Sequence, residues 1–223
     1  MNRIVEAYVG EYASGKSECA LNRALELLRR QEVMQPVILV DLDTVEPVYT
    51  LRPIREELRG LGLDVIAWAT RDTVGLGEAG SGWPPAARWV LRRSGSCVLD
   101  IGYGVKGAQS LNLLEGAWSD PDLRILAVLN LGRPMTGSYE CMLAYVRELG
   151  PVHGLINNSH LGDDTTIAFI QEGARTVAEV AEKLKLPLTA TCADARFKER
   201  LGEKDVCGRP IRYLQRFMPR AFW

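Results

Sequence analysis

Gly10-Glu11-Tyr12-Ala13-Ser14-Gly15-Lys16-Ser17 matches the pattern G-x-x-x-x-G-K-[ST], in which a glycine-rich loop wraps around phosphate groups. The residues before it, 4–9, are mostly apolar and predict a buried strand, and the residues after it, 19–28, have helical spacing. A strand, a loop and a helix in this order bring backbone N–H groups and a helix N-terminus to one phosphate. The stretch therefore predicts a nucleoside triphosphate site.

The loop residues have separate predicted roles. Lys16 neutralises terminal phosphate oxygens, and the Ser17 hydroxyl is a ligand for Mg²⁺. The predicted nucleotide-binding residues of this stretch are Gly10, Ala13, Ser14, Gly15, Lys16, Ser17 and Glu18. The plain alternative is a glycine-rich turn that only joins a strand to a helix.

Composition narrows the class of protein. The chain has 223 residues, with 27 Lys+Arg against 28 Asp+Glu and a net charge of −1, so no overall basic field attracts nucleic acid. Its five cysteines are widely spaced, which argues against a disulfide framework and against a cysteine metal site. No leader pattern is present, and no apolar run reaches the roughly 18 residues of a membrane span. We expect a soluble cytoplasmic protein.

Apolar runs alternate with helical patterns along the chain. The runs are 4–9, 36–41, 63–67, 96–100, 124–130, 152–157 and 188–192, and the candidate helices after the first are 51–60, 84–93, 108–118, 138–149 and 165–184. Continuous apolar runs are typical of strands covered on both faces of a parallel sheet. The pattern predicts an α/β fold of three layers, with a mostly parallel central sheet of about seven strands flanked by helices. Glycines between residues 70 and 85 predict a loop or lid.

Three aspartates end predicted strands. Asp41 and Asp43 follow the second strand, and Asp100 ends the fourth. Open α/β sheets bind ligands at the carboxyl ends of their strands, and Mg²⁺ prefers hard oxygen ligands. Ser17, Asp41 and Asp100 are therefore the predicted metal residues. The alternative is that these aspartates only cap loops or helices.

Four motifs together carry a resemblance to a known class. They are the loop 10–17, Asp41-Leu42-Asp43, Asp100-Ile101-Gly102 and Ile156-Asn157-Asn158-Ser159. Residues 3 to 192 resemble the P-loop ATPases that include the plasmid-partition and division-site ATPases of the ParA/MinD type, the nitrogenase iron protein, and the cobyrinate diamide and dethiobiotin synthetases. The resemblance implies a P-loop NTPase fold with ATP and Mg²⁺ as ligands.

The resemblance also implies roles for single residues. Asp41 would hold the water shell of Mg²⁺, and Asp43 would orient the attacking water, which makes Lys16 and Asp43 the predicted catalytic residues. Asn158 would contact adenine, and its carboxamide offers the donor and acceptor that an adenine edge needs. No N-K-x-D follows the strand at 152–157, which disfavours guanine.

Glu11 departs from the pattern of the partition-type subgroup. Those proteins carry a lysine after the first glycine of the loop, and it reaches the nucleotide of a partner subunit. A carboxylate cannot stabilise phosphate charge, so the resemblance does not extend to hydrolysis across a dimer. From the sequence alone, Glu11 either points to solvent or contacts a different group.

Two classes of function fit these motifs. The favoured one is a slow Mg-dependent ATPase whose bound nucleotide switches the loops after Asp41 and Asp100 and so controls a homodimer or an unidentified protein partner. The alternative is an ATP-dependent synthetase or ligase acting on a small molecule. A third version is a nucleotide binder with little hydrolysis.

The C-terminal residues form a distinct segment in the sequence. We expect residues 1–207 to form the nucleotide-binding domain and residues 208–223 to form a basic, aromatic tail packed on it. As a helix, this tail would be amphipathic, with arginines at 209, 212, 216 and 220. Such a helix suits a membrane surface or an acidic partner, although Pro219 would break it.

Overall fold

A parallel sheet of eight strands forms the middle layer of the protein. The computed structural model describes residues 1–43, 51–68 and 83–220. The strands are β1 (Val5–Gly10), β2 (Val37–Leu42), β3 (Asp64–Ile66), β4 (Ser96–Ile101), β5 (Leu123–Leu129), β6 (Gly154–Asn157), β7 (Leu188–Asp194) and β8 (Ile211–Leu214), in the spatial order β3-β2-β4-β1-β5-β6-β7-β8. Every neighbouring pair is parallel. The predicted three-layer α/β class is confirmed.

Helices cover both faces of this sheet. They are α1 (Lys16–Leu28), α2 (Arg55–Gly60), α3 (Gly104–Gln109), α4 (Tyr139–Glu148), α5 (Ile167–Leu184) and α6 (Lys198–Leu201). One core cluster packs α1, through Leu21 and Leu25, against one face, and a second packs α4 and α5, through Met142 and Val177, against the other. All residues of β1, β2 and β4 are buried, because helices or turns lie on both sides of them.

The long helix α5 fixes the chain that leads into the site. Thr166 caps its N-terminus by accepting a hydrogen bond from the Phe169 amide. A Cβ added to Gly173 would lie 2.0 Å from the Ser159 Oγ, so only glycine lets the helix approach this closely. The close approach positions the residues that follow β6.

One predicted helix was wrong. Residues 108–118 do not form one helix: α3 ends at Gln109 and short 3₁₀ turns follow, with Gly116 at a φ of 83° that a continuing helix cannot hold. In the C-terminal segment, residues 211–214 form a strand that was not predicted, β8, which pairs with β7. That strand raises the total from the predicted seven to eight. It was missed because Arg212 and Tyr213 interrupt the apolar pattern, as edge strands allow.

The C-terminal segment is part of the packed molecule. Leu214 and Phe217 are buried in the same core cluster as α1. The predicted division into residues 1–207 and 208–223 stays a prediction. In the described ranges, every helix falls short of the length and apolarity needed to cross a membrane. A loop or lid was predicted over residues 70–85. Residues 70–82 of it lie outside the described part of the chain.

Candidate functional site

A cavity of about 520 Å³ opens at the carboxyl edge of the sheet. It lies between the loop that joins β1 to α1, the loop after β6 and the segment after β8. Its lining includes Tyr12, Ala13, Gly15, Lys16, Ser17, Glu18, Asp43, Arg133, Asn158, His160, Thr165, Ile170, Cys192, Ala193, Asp194, Leu214, Arg216, Met218 and Pro219. The cavity therefore brings together most of the residues predicted to bind nucleotide, at the place where open α/β sheets bind ligands.

The loop backbone has the shape that phosphate binding requires. Ala13 and Gly15 have φ values of 53° and 81°, and positive φ values of this kind occur in backbone that curls around an anion. Gly15 is also the N-cap of α1, and no side chain caps that helix, which leaves its first amides for a ligand. A Cβ at Gly10 would lie 2.7 Å from the Val128 carbonyl oxygen, so the loop start needs glycine.

Two side chains hold this loop from outside. Asn158 Nδ2 donates a 2.8 Å hydrogen bond to the Ser14 carbonyl, and Arg133 Nε donates a 2.9 Å bond to the Ala13 carbonyl. A Cβ at Gly15 would lie 2.2 Å from Asn158 Nδ2, so the amide sits directly against the loop. Asn158 thus supports the loop from the cavity wall, and its predicted contact with adenine stays a prediction.

Lys16 is the buried cation of the site. Only 6 % of its surface is exposed, and its Nζ lies 3.9 Å from Asp43 Oδ2 and 6.0 Å from the centre of the Tyr103 ring. Asp43 is itself 4 % exposed. The loose separation of ammonium and carboxylate leaves Lys16 able to turn toward a phosphate.

Asp41 and Asp100 face each other on neighbouring strands. They are paired in the register of β2 and β4, and both are buried. Asp41 accepts hydrogen bonds from the Asp43 and Leu51 amides, whereas neither oxygen of Asp100 accepts a bond from any described residue. Burial raises the pKa of Asp41 to about 6 and that of Asp100 to about 8; nearby Lys16 and the Ser17 hydroxyl act in the opposite direction on Asp100.

These carboxylates fit a divalent cation. A buried carboxylate with two unpaired oxygens is costly, and a bound cation offsets that cost. Among the described residues, no group of three or more His, Cys, Asp or Glu side chains is placed to hold a metal alone. Such a site suits Mg²⁺, which takes most of its ligands from phosphate and water. Ser17 and Asp100 would hold the ion, with Asp41 near its water shell.

Glu11 points inward rather than to solvent. Its carboxylate is 8 % exposed and accepts a 3.0 Å hydrogen bond from the Met135 amide. The Thr136 hydroxyl lies 3.1 Å from its Oε2, with the Asn130 carbonyl as that hydroxyl's other acceptor. Glu11 therefore ties the phosphate loop to the turn after β5.

Loss of the Glu11 carboxylate should destabilise the protein. Glu11→Ala removes the acceptor of the part-buried Met135 amide and a partner of the buried Thr136 hydroxyl, so we expect the free energy of unfolding to fall by about 2 kcal/mol in urea denaturation. Glu11→Gln keeps an acceptor oxygen and should lose less than half of that. The control is Glu148→Ala, an exposed glutamate on α4, with a change within about 0.5 kcal/mol. A Glu11→Ala protein as stable as the control would contradict the assignment.

Several residues of the site were not predicted from the sequence. Arg133 follows β5, so the rule that placed the aspartates at strand ends could have found it. Tyr12 and Tyr103 come from two separate loops, and their rings meet edge to face with centres 5.5 Å apart. His160 also lines the cavity, and burial, with Arg133 and Arg216, lowers its pKa to about 4. It is neutral at physiological pH and carries no charge into the site.

Comparison with solved structures identifies the fold of this chain. No protein-family model matches the chain, and no curated protein matches its sequence. The cell division protein FtsY from Thermotoga maritima aligns with a TM-score of 0.55 at 16 % identity, over 99 % of this chain and 67 % of that one. The fold is that of the P-loop NTPases.

Two further structures agree with this P-loop NTPase fold. The signal recognition particle receptor FtsY from Elizabethkingia anophelis in complex with GDP has a TM-score of 0.55 at 14 % identity, over 100 % of this chain and 64 % of that one. The signal recognition particle 54 kDa protein from Aeropyrum pernix in complex with GDP has a TM-score of 0.51 at 21 % identity, over 100 % of this chain and 45 % of that one. This chain thus spans about two thirds or less of each protein, and at these identities the likeness establishes the fold.

Proposed function

We propose that this protein binds Mg-nucleoside triphosphate and acts as a slow nucleotide-dependent switch for a protein partner or a second copy of itself. The observation that carries the proposal is the buried Lys16 at the end of a curled loop, beside Asp43 and an Asp100 whose oxygens have no described hydrogen-bond partner. A turn that only joined a strand to a helix would not need these buried charges.

Hydrolysis follows from the same arrangement. Lys16 and the amides at the start of α1 stabilise the charge that develops on the transferred phosphoryl group. Asp43 orients the attacking water, because its carboxylate lies beside Lys16 in the cavity wall. When bound, Mg²⁺ neutralises charge on the β- and γ-phosphate oxygens. The phosphate loop carries the carboxylate of Glu11 and not a second positive side chain that could stabilise the transition state, which is consistent with slow turnover.

A switch also needs a path from the phosphate to the surface. Tyr12 of the phosphate loop already touches Tyr103, which follows Asp100 by three residues and is the N-cap of α3. A Cβ at Gly107 would lie 1.8 Å from the Gly102 carbonyl oxygen, so α3 packs directly on the loop after Asp100. A triphosphate that draws Lys16 away from Tyr103 would therefore move the start of α3.

ATP is the nucleotide we propose, since no N-K-x-D follows β6. Membership of the partition-ATPase class is proposed with it, on the D-x-D at Asp41 and Asp43. Two of the aligned structures are complexes with GDP, so GTP is the necessary competitor in every measurement.

Hydrogen exchange tests the switch directly. With saturating Mg-ATP, we expect amides of residues 100–109 to exchange at least about tenfold more slowly than with Mg-ADP, because contacts with the γ-phosphate order this loop. Helix α4, none of whose residues lines the cavity, serves as the internal control and should not change. Equal exchange with both nucleotides would overturn the switch while leaving nucleotide binding intact. A GTP and GDP pair, measured in parallel, identifies the base.

A further inference from the structure

The segment after β8 forms part of the same cavity as the phosphate loop. We call residues 214–219 the C-terminal wall. Leu214, Arg216, Met218 and Pro219 of this wall line the cavity together with the phosphate-loop residues. The neighbouring lining from α5 and β7 is also largely apolar, with Ile170, Cys192 and Ala193. Phosphates need the polar amides of the loop, whereas a planar base needs apolar surface on its faces.

Helix α1 fixes the C-terminal wall by four hydrogen bonds. The Glu18 carboxylate accepts bonds of 2.6 Å and 2.9 Å from the amides of Phe217 and Met218. The Asn22 side chain donates to the Gln215 carbonyl at 2.9 Å and accepts from the Gln215 amide at 2.8 Å. Glu18 directly follows the Lys16-Ser17 pair, so one helix holds both the phosphate-binding residues and the wall.

The wall is also attached at two further points. The Phe217 side chain is 4 % exposed and packs in the core cluster of α1. Arg216 pairs with Asp163, on the turn after β6, whose side chain is 80 % exposed. A surface ion pair of this kind contributes little stability, so it can open and close as a ligand enters.

We propose that the C-terminal wall is the base-binding side of the nucleotide site, with Leu214, Met218 and Pro219 against the base and Glu18 as the residue that positions them. The inference rests on the proposed nucleotide function. It adds the part of the site that lets the protein distinguish a nucleoside triphosphate from a polyphosphate without a base. Glu18 then acts through the wall rather than through the phosphates.

Calorimetry with two ligands tests the wall. Mg-tripolyphosphate carries the phosphates without a base, and Mg-ATP or Mg-GTP, whichever binds the wild type more tightly, carries both. We expect Met218→Ala and Glu18→Ala to raise the Kd of the nucleotide about tenfold and to change that of tripolyphosphate less than twofold. Glu18→Gln keeps an acceptor oxygen for one of the two amides and places an NH2 donor against the other, so it should recover only part of the affinity. Leu61→Ala, at an exposed leucine outside the cavity lining, is the control.

The possible results separate the two proposals. Equal losses for both ligands, or no loss of nucleotide affinity in either variant, would overturn the base wall. A wild-type protein that binds nucleotide and tripolyphosphate equally well overturns the wall alone and leaves the phosphate site standing. A wild-type protein that binds neither ligand overturns the nucleotide function and the wall with it. Thermal unfolding of each variant shows whether a common loss comes from misfolding.

Discussion

Replacing Lys16 by alanine is expected to weaken binding of Mg-ATP by at least about a hundredfold, measured by calorimetry. The ammonium is buried, and a charge-assisted hydrogen bond to a terminal phosphate in such a place contributes about 3 kcal/mol. Its removal also takes a cation from beside Asp43, which adds repulsion against an anionic ligand. Affinity for Mg-ADP should fall less, because the γ-phosphate is absent.

The control for this variant is Lys183→Ala. Lys183 is exposed on α5, so its replacement removes the same charge from the chain without touching the cavity lining. We expect its affinity for Mg-ATP to stay within twofold of the wild type. If both variants bind alike, the phosphate loop is not the binding site.

Asp43→Asn is expected to slow hydrolysis of Mg-ATP by about a hundredfold or more in single-turnover experiments, while the Kd of the nucleotide changes little. Asparagine fills the same space but orients the attacking water poorly and accepts no proton. The effect should appear in the rate of the chemical step, since Asp43 is proposed to act on the water rather than on the bound phosphates.

Asp64 provides a matched control, because it lies at the amino end of its strand rather than at the carboxyl end. Asp64 begins β3, and its exposed pair with Arg93 contributes little to stability, so Asp64→Asn should hydrolyse ATP at the wild-type rate. Single-turnover rates that are equal in Asp43→Asn and the wild type would remove Asp43 from the mechanism. If the wild type hydrolyses ATP no faster than Lys16→Ala, the result would support a nucleotide binder without hydrolysis.

The parts of the fold with strong local signals were predictable. The apolar runs that became β1, β2, β4 and β5 were found to within a residue or two, because strands buried on both faces leave little room for polar side chains. The helix predicted over 138–149 was also found as α4, and the Ser138 side chain caps its start by accepting a hydrogen bond from the Cys141 amide. Strand β8 left no such signal, because its stability comes from pairing with β7 rather than from its own composition.

The site was predictable where its residues are consecutive or end a strand. The loop 10–17 and the aspartates at 41, 43 and 100 converge on one edge because parallel strands share a carboxyl end. The direction of Glu11 was not predictable, since its partners lie more than 120 residues later in the chain. The same holds for the C-terminal wall, since its contacts with α1 join residues almost 200 positions apart in the chain.

The two side chains that hold the phosphate loop from outside affect how binding energy is used. Because Asn158 and Arg133 fasten the carbonyls of Ser14 and Ala13, the curled backbone is already formed before any nucleotide arrives. The conformational entropy of these residues is lost during folding and not during association, so less of the interaction energy is spent on ordering the protein. Loop and nucleotide should therefore associate quickly, and differences in affinity between nucleotides should be found mainly in their dissociation rates.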